Sequence, residues 1–420
     1  DSALRLLRAR DRAVRVQAAS YFGVNTDARA VRSLVQLLGD GDDHVRNAAI
    51  DTLIRYPKYI LPFLEASLLR GSSRQRQGIL EVIRLSPHIA EFETTHLLQR
   101  ALTEAYTNLI VIRRLRTLQN SPGAVMLTEY LEQAYEDILT LIFYGLWVYH
   151  ADMRLLYQAL RSDTSPIAVE LVETSMRREL VPYLMPLIED IPLNEKIEKG
   201  RQLFLLIRHD DLERLLTFLL LSDDPVIRML TLTTVADLMP DATFVPVVES
   251  CLQDDNDHVR QVADYAWAKA MNEEAQMPPI IEMINKVRSF SLFEGLGIRE
   301  LHAIATVISE QVFEPGDPIM REGEDTRSLF FIRSGRVAVH KGYGTAEDET
   351  RLEAKAGDFL GFVGMLTGLP TEVTCVALER TETLVLPKVQ FLEILKIYPQ
   401  IGLNLCRFAA LRFRKVYFLD

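Results

Sequence analysis

Basic charge, cysteine and long apolar runs are all scarce in this chain, and each scarcity closes a class of function. Lys and Arg number 47 against 58 Asp and Glu, a formal net charge of −11. Non-specific nucleic-acid binding draws its affinity from neutralised phosphates, so no nucleic-acid partner is expected. Cys251, Cys375 and Cys406 are the only cysteines in 420 residues and lie far apart inside apolar patterns. Neither a disulfide framework nor a Cys-based metal site is expected, and a reducing compartment fits. The longest apolar run, Ile138 to Tyr149, is shorter than the roughly 20 residues that span a bilayer, and reads as a buried helix. No signal peptide opens the chain, and a cytoplasmic location is expected. The absence of an initiator Met before Asp1 reads as the boundary of a fragment.

Catalytic signatures are missing as well. The sequence contains no Walker A loop, GxSxG elbow, CxxC pair, HExxH or kinase set. The acidic cluster Asp254-Asp255-Asn256-Asp257 lacks the spacing and terminal Glu of an EF-hand and reads as helix capping. Neither an enzyme nor a cofactor is expected.

What is present points to two or three compact units, the prior for this length, with 48% hydrophobic residues to build their cores. Residues 280–420 carry 17 Lys and Arg against 19 Asp and Glu, so most of the acidity lies before Ile280. A basic partner would suit that part, as would a solvated acidic surface.

The first part repeats itself. DRAVRVQAA (Asp11 to Ala19), DDHVRNAAI (Asp42 to Ile50) and SSRQRQGIL (Ser72 to Leu80) align on Arg15, Arg46 and Arg76, and the motif returns as DDPVIRMLTL and DNDHVRQVA around Arg228 and Arg260. A period near 31 residues indicates stacked helical units. In each, an Asp caps a helix N-terminus, small residues allow close helix approach, and a second apolar helix follows. This resembles the short bacterial form of HEAT repeats. The repeated Arg residues read either as an electropositive stripe for a partner or as partners of acidic residues in neighbouring units. His44 and His258 take equivalent places before Val-Arg and read as repeat positions, not metal ligands. Residues 86–200 lose the repeat while keeping helical periodicity, with helices expected around Leu127 to Trp147 and Met153 to Leu160, and a degraded unit at Ser162 to Asp190 that starts at Asp163 and Pro166.

Gln276-Met277-Pro278-Pro279 marks a boundary, since paired prolines end the preceding helix. Beyond it the periodicity turns to strands. Gln311 to Glu324 carries a Pro-Gly turn, Leu329 to His340 reads as two strands about Ser334-Gly335, and Thr381 to Pro387 as a late strand. Gly316, Gly323 and Gly335 fall at turns where positive φ is needed. Then comes Gly357 to Val376, GDFLGFVGMLTGLPTEVTCV, where a strand turns through Gly357, Gly361 and Gly364 into a short helix.

That stretch resembles the phosphate-binding cassette of the cyclic-nucleotide-binding family, and the likeness extends over nearly all of 283–418. The resemblance implies a Glu that accepts from the ribose hydroxyl and an Arg that pairs with the cyclic phosphate. Laid residue by residue, Leu360-Gly361 falls on Phe-Gly, Phe362 on the Glu, Val363 to Leu366 on the apolar helix, Pro370 on the Pro and Thr371 on the Arg. Both charged groups are missing, and Glu372 would repel a phosphate. An Arg–phosphate pair is a strong charge-assisted contact, so recognition of cAMP or cGMP by the usual contacts is not expected. The altered pocket is assigned to Gly361, Phe362, Val363, Gly364, Met365, Thr371 and Glu372. Two helices break near Pro399. The last presents Leu405, Phe408, Ala409, Phe413 and Val416 as a surface that closes over the pocket or pairs with a second chain. Arg407, Arg412, Arg414 and Lys415 on that helix read as a solvated face.

The expected architecture is therefore multidomain: HEAT-like repeats at 1–120, a divergent helical segment at 121–200, HEAT-like repeats at 201–275, and an α+β cyclic-nucleotide-binding-like β-barrel of jelly-roll type with flanking helices at 280–420. The order of domains resembles the soluble extension of bacterial transporters similar to ATP/ADP translocases. A non-catalytic regulatory or interaction module follows, with protein partners on the solenoid, a membrane transporter domain in the same chain, a place at the inner face of a membrane, and a homodimer through the last helix as open expectations. A sensor whose Phe362 stacks on a base or apolar group is the alternative.

Overall fold

The computed structural model describes residues 2–9, 11–70, 73–88, 94–147, 153–162, 166–176, 178–204, 206, 211–238, 244–271, 273–346 and 348–418. Two compact units divide at Ser222 and Asp223. Asp163, the expected start of the degraded unit, lies outside the described residues.

The described residues of 1–222 form an all-helical unit. Helix Arg12–Val24 begins where the Asp11 carboxylate accepts from the Ala13 N–H at 2.7 Å, and helix Asp43–Leu53 where Asp42 accepts from His44 N–H at 2.9 Å. These caps are each worth about 1 kcal/mol. Small residues bring the two helices together: Ala18, Ala19 and Ala49 are buried, a Cβ on Gly23 would stand 3.2 Å from Thr52 Oγ1, and that hydroxyl donates to Ala19 O at 2.9 Å. Farther on, Thr94–Leu115 and Pro122–Trp147 pack together. The apolar run buries Ile138, Ile142 and Phe143 in this unit. Among the described residues no helix is long and apolar enough to cross a membrane.

Four of the repeated arginines, Arg15, Arg46, Arg228 and Arg260, are held by acidic residues. Arg15 donates from Nε and Nη2 to the Asp40 carboxylate at 2.9 and 3.1 Å, and Arg46 donates to Asp40 O at 2.6 Å. In the second unit Arg228 grips Asp254 the same way at 2.8 and 2.9 Å, and Arg260 donates to Asp254 O. Asp40 and Asp254 also accept from the backbone N–H of Asp42 and Asn256, both at 2.9 Å. One aspartate thus ties its own loop to the helix before through its carboxylate and to the helix after through its carbonyl. Burial pushes the Asp254 carboxyl up, and the hydrogen bonds from Arg228 and Asn256 overcome it, so it ionises below its ordinary range.

Residues 223–420 join helices Pro225–Asp237, Val245–Cys251 and Asp257–Ala270 to a sheet domain. Its strands are β1 Ser309–Phe313, β2 Pro318–Met320, β3 Ser328–Ser334, β4 Arg336–Lys341, β5 Glu349–Lys355, β6 Phe359–Leu360, β7 Thr374–Ala377 and β8 Thr381–Pro387. They pair antiparallel in two four-stranded sheets, β1-β8-β3-β6 and β2-β7-β4-β5. The expected barrel is corrected here to a sandwich. β6 is only two residues long and β5 is a charged, exposed edge, so the ladder does not close around the two sheets. Phe313, Ile319, Ile332, Val337, Val339, Ala354, Leu360, Cys375 and Ala377 make a buried core cluster. Gly316, Gly323 and Gly335 take φ of +91°, +83° and +91° at the turns.

Asp254→Ala removes the carboxylate that accepts twice from Arg228, whose side chain is 16% exposed. It is expected to cost about 3 kcal/mol, with the native contribution itself lost as pH falls below the ordinary carboxylate range. Glu353→Ala, which breaks an Arg336 pair with both side chains 55% exposed, should stay within about 0.5 kcal/mol. Urea denaturation of the two variants decides; equal losses would refute the role given to Asp254.

Candidate functional site

The cassette is built by β6, the helix Phe362–Thr367 and the loop that leads into β7. Gly361 caps the helix at φ +95°, and a Cβ there would stand 2.7 Å from Ser328 O and 3.2 Å from Thr326 Cγ2. Gly361 is thus required both by a left-handed backbone and by the closeness of β3. Gly364 is helical and serves space alone: its Cβ would meet Thr326 Oγ1 at 2.3 Å. Gly357 turns at φ +92°, and Gly368 closes the helix at φ +72°, its N–H donating to Gly364 O at 3.0 Å.

Of the residues assigned to the altered pocket, Gly364 and Met365 are buried, Phe362 and Thr371 half-buried, and Val363 and Glu372 exposed. Phe362 does not stand alone. Its ring meets Phe359 and Phe408, each at 5.6 Å between centroids, and Phe359 and Phe408 lie 4.2 Å apart. The contacts continue inward from Phe359 to Phe331 at 5.6 Å, and from Phe331 to Phe290 and Phe293 at 5.1 Å. An aromatic row therefore runs from the segment after helix Pro279–Arg288, through β3 and β6, to the cassette and the last helix, Pro399–Phe418.

Asn404, one turn before Phe408, fixes that last helix as well. Buried, it donates from Nδ2 to Leu292 O at 3.1 Å and Glu294 O at 2.8 Å, and accepts from Gln400 Nε2 at 3.0 Å. Ile401 and Leu405 are buried on the same helix. The side chains of Arg412, Phe413, Arg414, Lys415 and Val416 lie outside the described residues.

Thr371 is committed to its own surroundings. Its hydroxyl donates to Val373 O at 3.2 Å, its N–H donates to Glu324 O at 2.9 Å, and its carbonyl accepts from Gly323 N–H at 2.8 Å. Nearby, Lys341 Nζ donates to Glu322 Oε1 at 2.6 Å and to Glu372 O at 3.0 Å, and Gly342 N–H donates to Glu322 Oε2 at 2.9 Å. The Lys341 hydrogen bond, then that of Gly342, holds the Glu322 carboxyl below its ordinary range. Lys341 is thereby occupied by a carboxylate and a carbonyl. A cavity of about 430 Å³ opens beside the cassette between Thr326, Arg327, Gly368, Lys388 and Val389, with Asp325 and Pro387 completing its lining. Neither Phe362 nor Thr371 lines it. Sequence reasoning passed over Thr326, whose side chain fills the space that Gly361 and Gly364 leave, and Asn404, a polar residue inside an apolar helical pattern.

Residues 310–398 match the family described as "Cyclic nucleotide-binding domain". The "Cyclic AMP receptor protein" of Thermus thermophilus is 25% identical over 124 residues, 30% of this chain and 57% of that protein. The "cAMP-dependent protein kinase regulatory subunit" of Debaryomyces hansenii is 31% identical over 110 residues, 26% of this chain and 23% of that one. Among solved structures, the regulatory subunit of a cAMP-independent protein kinase A from Trypanosoma brucei aligns at 25% identity and a TM-score of 0.29, over 31% of this chain and 46% of that chain. The chain thus spans about half or less of the length of these relatives. The likeness to that family lies in the C-terminal part of the chain, at residues 310–398.

Gly361→Ala adds the clash with Ser328 O to a left-handed backbone and should cost about 3 kcal/mol. Gly368→Ala, with φ +72° and nothing within 4 Å of its Cβ, should cost about 1 to 2 kcal/mol. Urea midpoints that move equally for both would mean that the Ser328 carbonyl does not constrain the turn.

Proposed function

We propose that this chain is a non-catalytic regulatory module whose sheet domain keeps the cassette backbone while Phe362 replaces a charged ligand contact with aromatic packing. The observation that carries this is the Phe359–Phe362–Phe408 cluster. The relatives named for cyclic AMP supply the family context. The familiar Glu and Arg of that cassette would each provide a charge-assisted contact to the nucleotide. Here a phenyl ring and a hydroxyl stand at those positions, beside the exposed Glu372. The last helix is held on the cassette by the chain's own side chains, so its closure does not depend on a bound nucleotide.

The helical part, which resembles HEAT repeats, is the surface proposed for protein partners. Its domain order supports a place in a larger assembly such as a membrane transporter. A second reading, a sensor for an uncharged ligand, is favoured by Thr326 Oγ1, which is buried beside the cassette without a hydrogen-bond partner.

A thermal melt of the full chain with cAMP, cGMP, cyclic dinucleotides, ATP, ADP, GTP, guanosine and adenosine at millimolar concentration tests the first reading. No shift is expected. A ligand at 100 times its Kd would add about 2.7 kcal/mol, so a clear shift with cAMP overturns the proposal, whereas a shift with an uncharged nucleoside such as guanosine or adenosine selects the second reading. The double variant Phe362→Glu, Thr371→Arg should acquire a cAMP-dependent shift.

A further inference from the structure

One feature of the repeat is used differently at its two ends. His44 and His258 hold the same place in helices Asp43–Leu53 and Asp257–Ala270, each with its N–H on the preceding cap, Asp42 or Asn256, at 2.9 and 3.0 Å. His44 is exposed. His258 instead meets His302 of the helix Ile298–Ala305, edge to face, with ring centroids 5.9 Å apart and planes at 89°. Both residues lie within the unit formed by residues 223–420.

We propose that the His258–His302 contact is an acid-sensitive joint, holding the last helical pair to the lead-in helix of the sheet domain when both rings are neutral and loosening when they are protonated. Two imidazolium rings at this separation repel. Asp224, at the head of helix Pro225–Asp237, favours a proton on His302, by less than His258 opposes it. On the His258 helix, Asp257 pairs with Arg260. On the adjoining helix Pro279–Arg288, Lys286 is engaged by Glu282 and Glu310. On the His302 helix itself, Glu300 and Arg299 bear on Tyr398.

Burial first, and the charge of His258 second, push His302 below the ordinary histidine range. A base with a depressed native value binds its proton more readily when unfolded. The joint therefore keeps its full strength above about pH 6.5 and loses it as pH falls below that value.

Histidine ring signals of the full chain, followed by NMR from pH 8 to 5, test this together with native-state hydrogen exchange at pH 7.5 and 5.5. His302 is expected to titrate below the ordinary histidine range and to move upward in His258→Gln. Acid should speed exchange in helices 257–270 and 298–305 about tenfold more in the native chain than in that variant. His258→Lys, which fixes a positive charge beside His302, should speed exchange in these helices already at pH 7.5. A His302 titration unmoved by His258→Gln, or acid acceleration equal in native chain and variant, would overturn the proposal.

Discussion

The packing of Phe408 on Phe359 is the interaction on which the rest of the sheet domain depends. At 4.2 Å between centroids it places the last helix directly on the strand that launches the cassette. Phe362 then fills the angle between the two rings. An aromatic pair contributes about 0.5–1.5 kcal/mol beyond the area it buries, and the row continues through Phe331 to Phe290 and Phe293. Asn404 adds directional hydrogen bonds at a buried site, where an unpaired amide would cost about 1–3 kcal/mol. The last helix is therefore fixed in position by the row and in rotation by Asn404. Its link to the cassette is built from groups of the chain itself.

A second constraint of the same kind recurs in the helical parts. Asp40 and Asp254 each accept from an earlier Arg and from a backbone N–H two residues on, while their carbonyls accept from a later Arg. With side chains only 13% and 12% exposed, these carboxylates are desolvated, and a desolvated charge persists only when paired and hydrogen-bonded. The bidentate geometry of arginine meets that demand. The arginine periodicity is thus the visible trace of a loop anchor, and Arg15, Arg46, Arg228 and Arg260 are not a free electropositive stripe.

How much of this was legible in the sequence depended on whether a feature leaves a local signature. The β3–β4 turn about Gly335, which carries the chain from one sheet to the other, and strand β8 were readable, because turn glycines and alternating apolar residues mark them. β5, ETRLEAK, was not: it is almost wholly exposed, so its polar sequence lacks the alternation that reveals a half-buried strand. The arginines were visible as a repeat, yet their acceptors were not, since Asp40 and Asp254 lie 25 and 26 residues downstream among several acidic neighbours. The sandwich was mistaken for a barrel because closure is a property of strand ends and pairing, which short-range patterns do not encode. In the cassette the glycines and the missing charges were plain, whereas the clasp of Phe362 by Phe408 joins residues 46 positions apart. Asn404 left no local signature, because its acceptors, the carbonyls of Leu292 and Glu294, lie 112 and 110 residues away in the chain.

The glycine turn of the cassette and its side chains at Phe362 and Thr371 answer to different forces. Gly361 is required by Ser328 O and Gly364 by Thr326. Those contacts lie within the protein and would be needed with or without a nucleotide. The groups that would make the nucleotide contacts are side chains at Phe362 and Thr371, and changing them leaves the glycine turn intact. Where a carboxylate would face a ligand, a phenyl ring can instead join the apolar row beneath it. The last helix is therefore held by packing, through a row whose ends lie at that helix and in the segment that follows helix Pro279–Arg288.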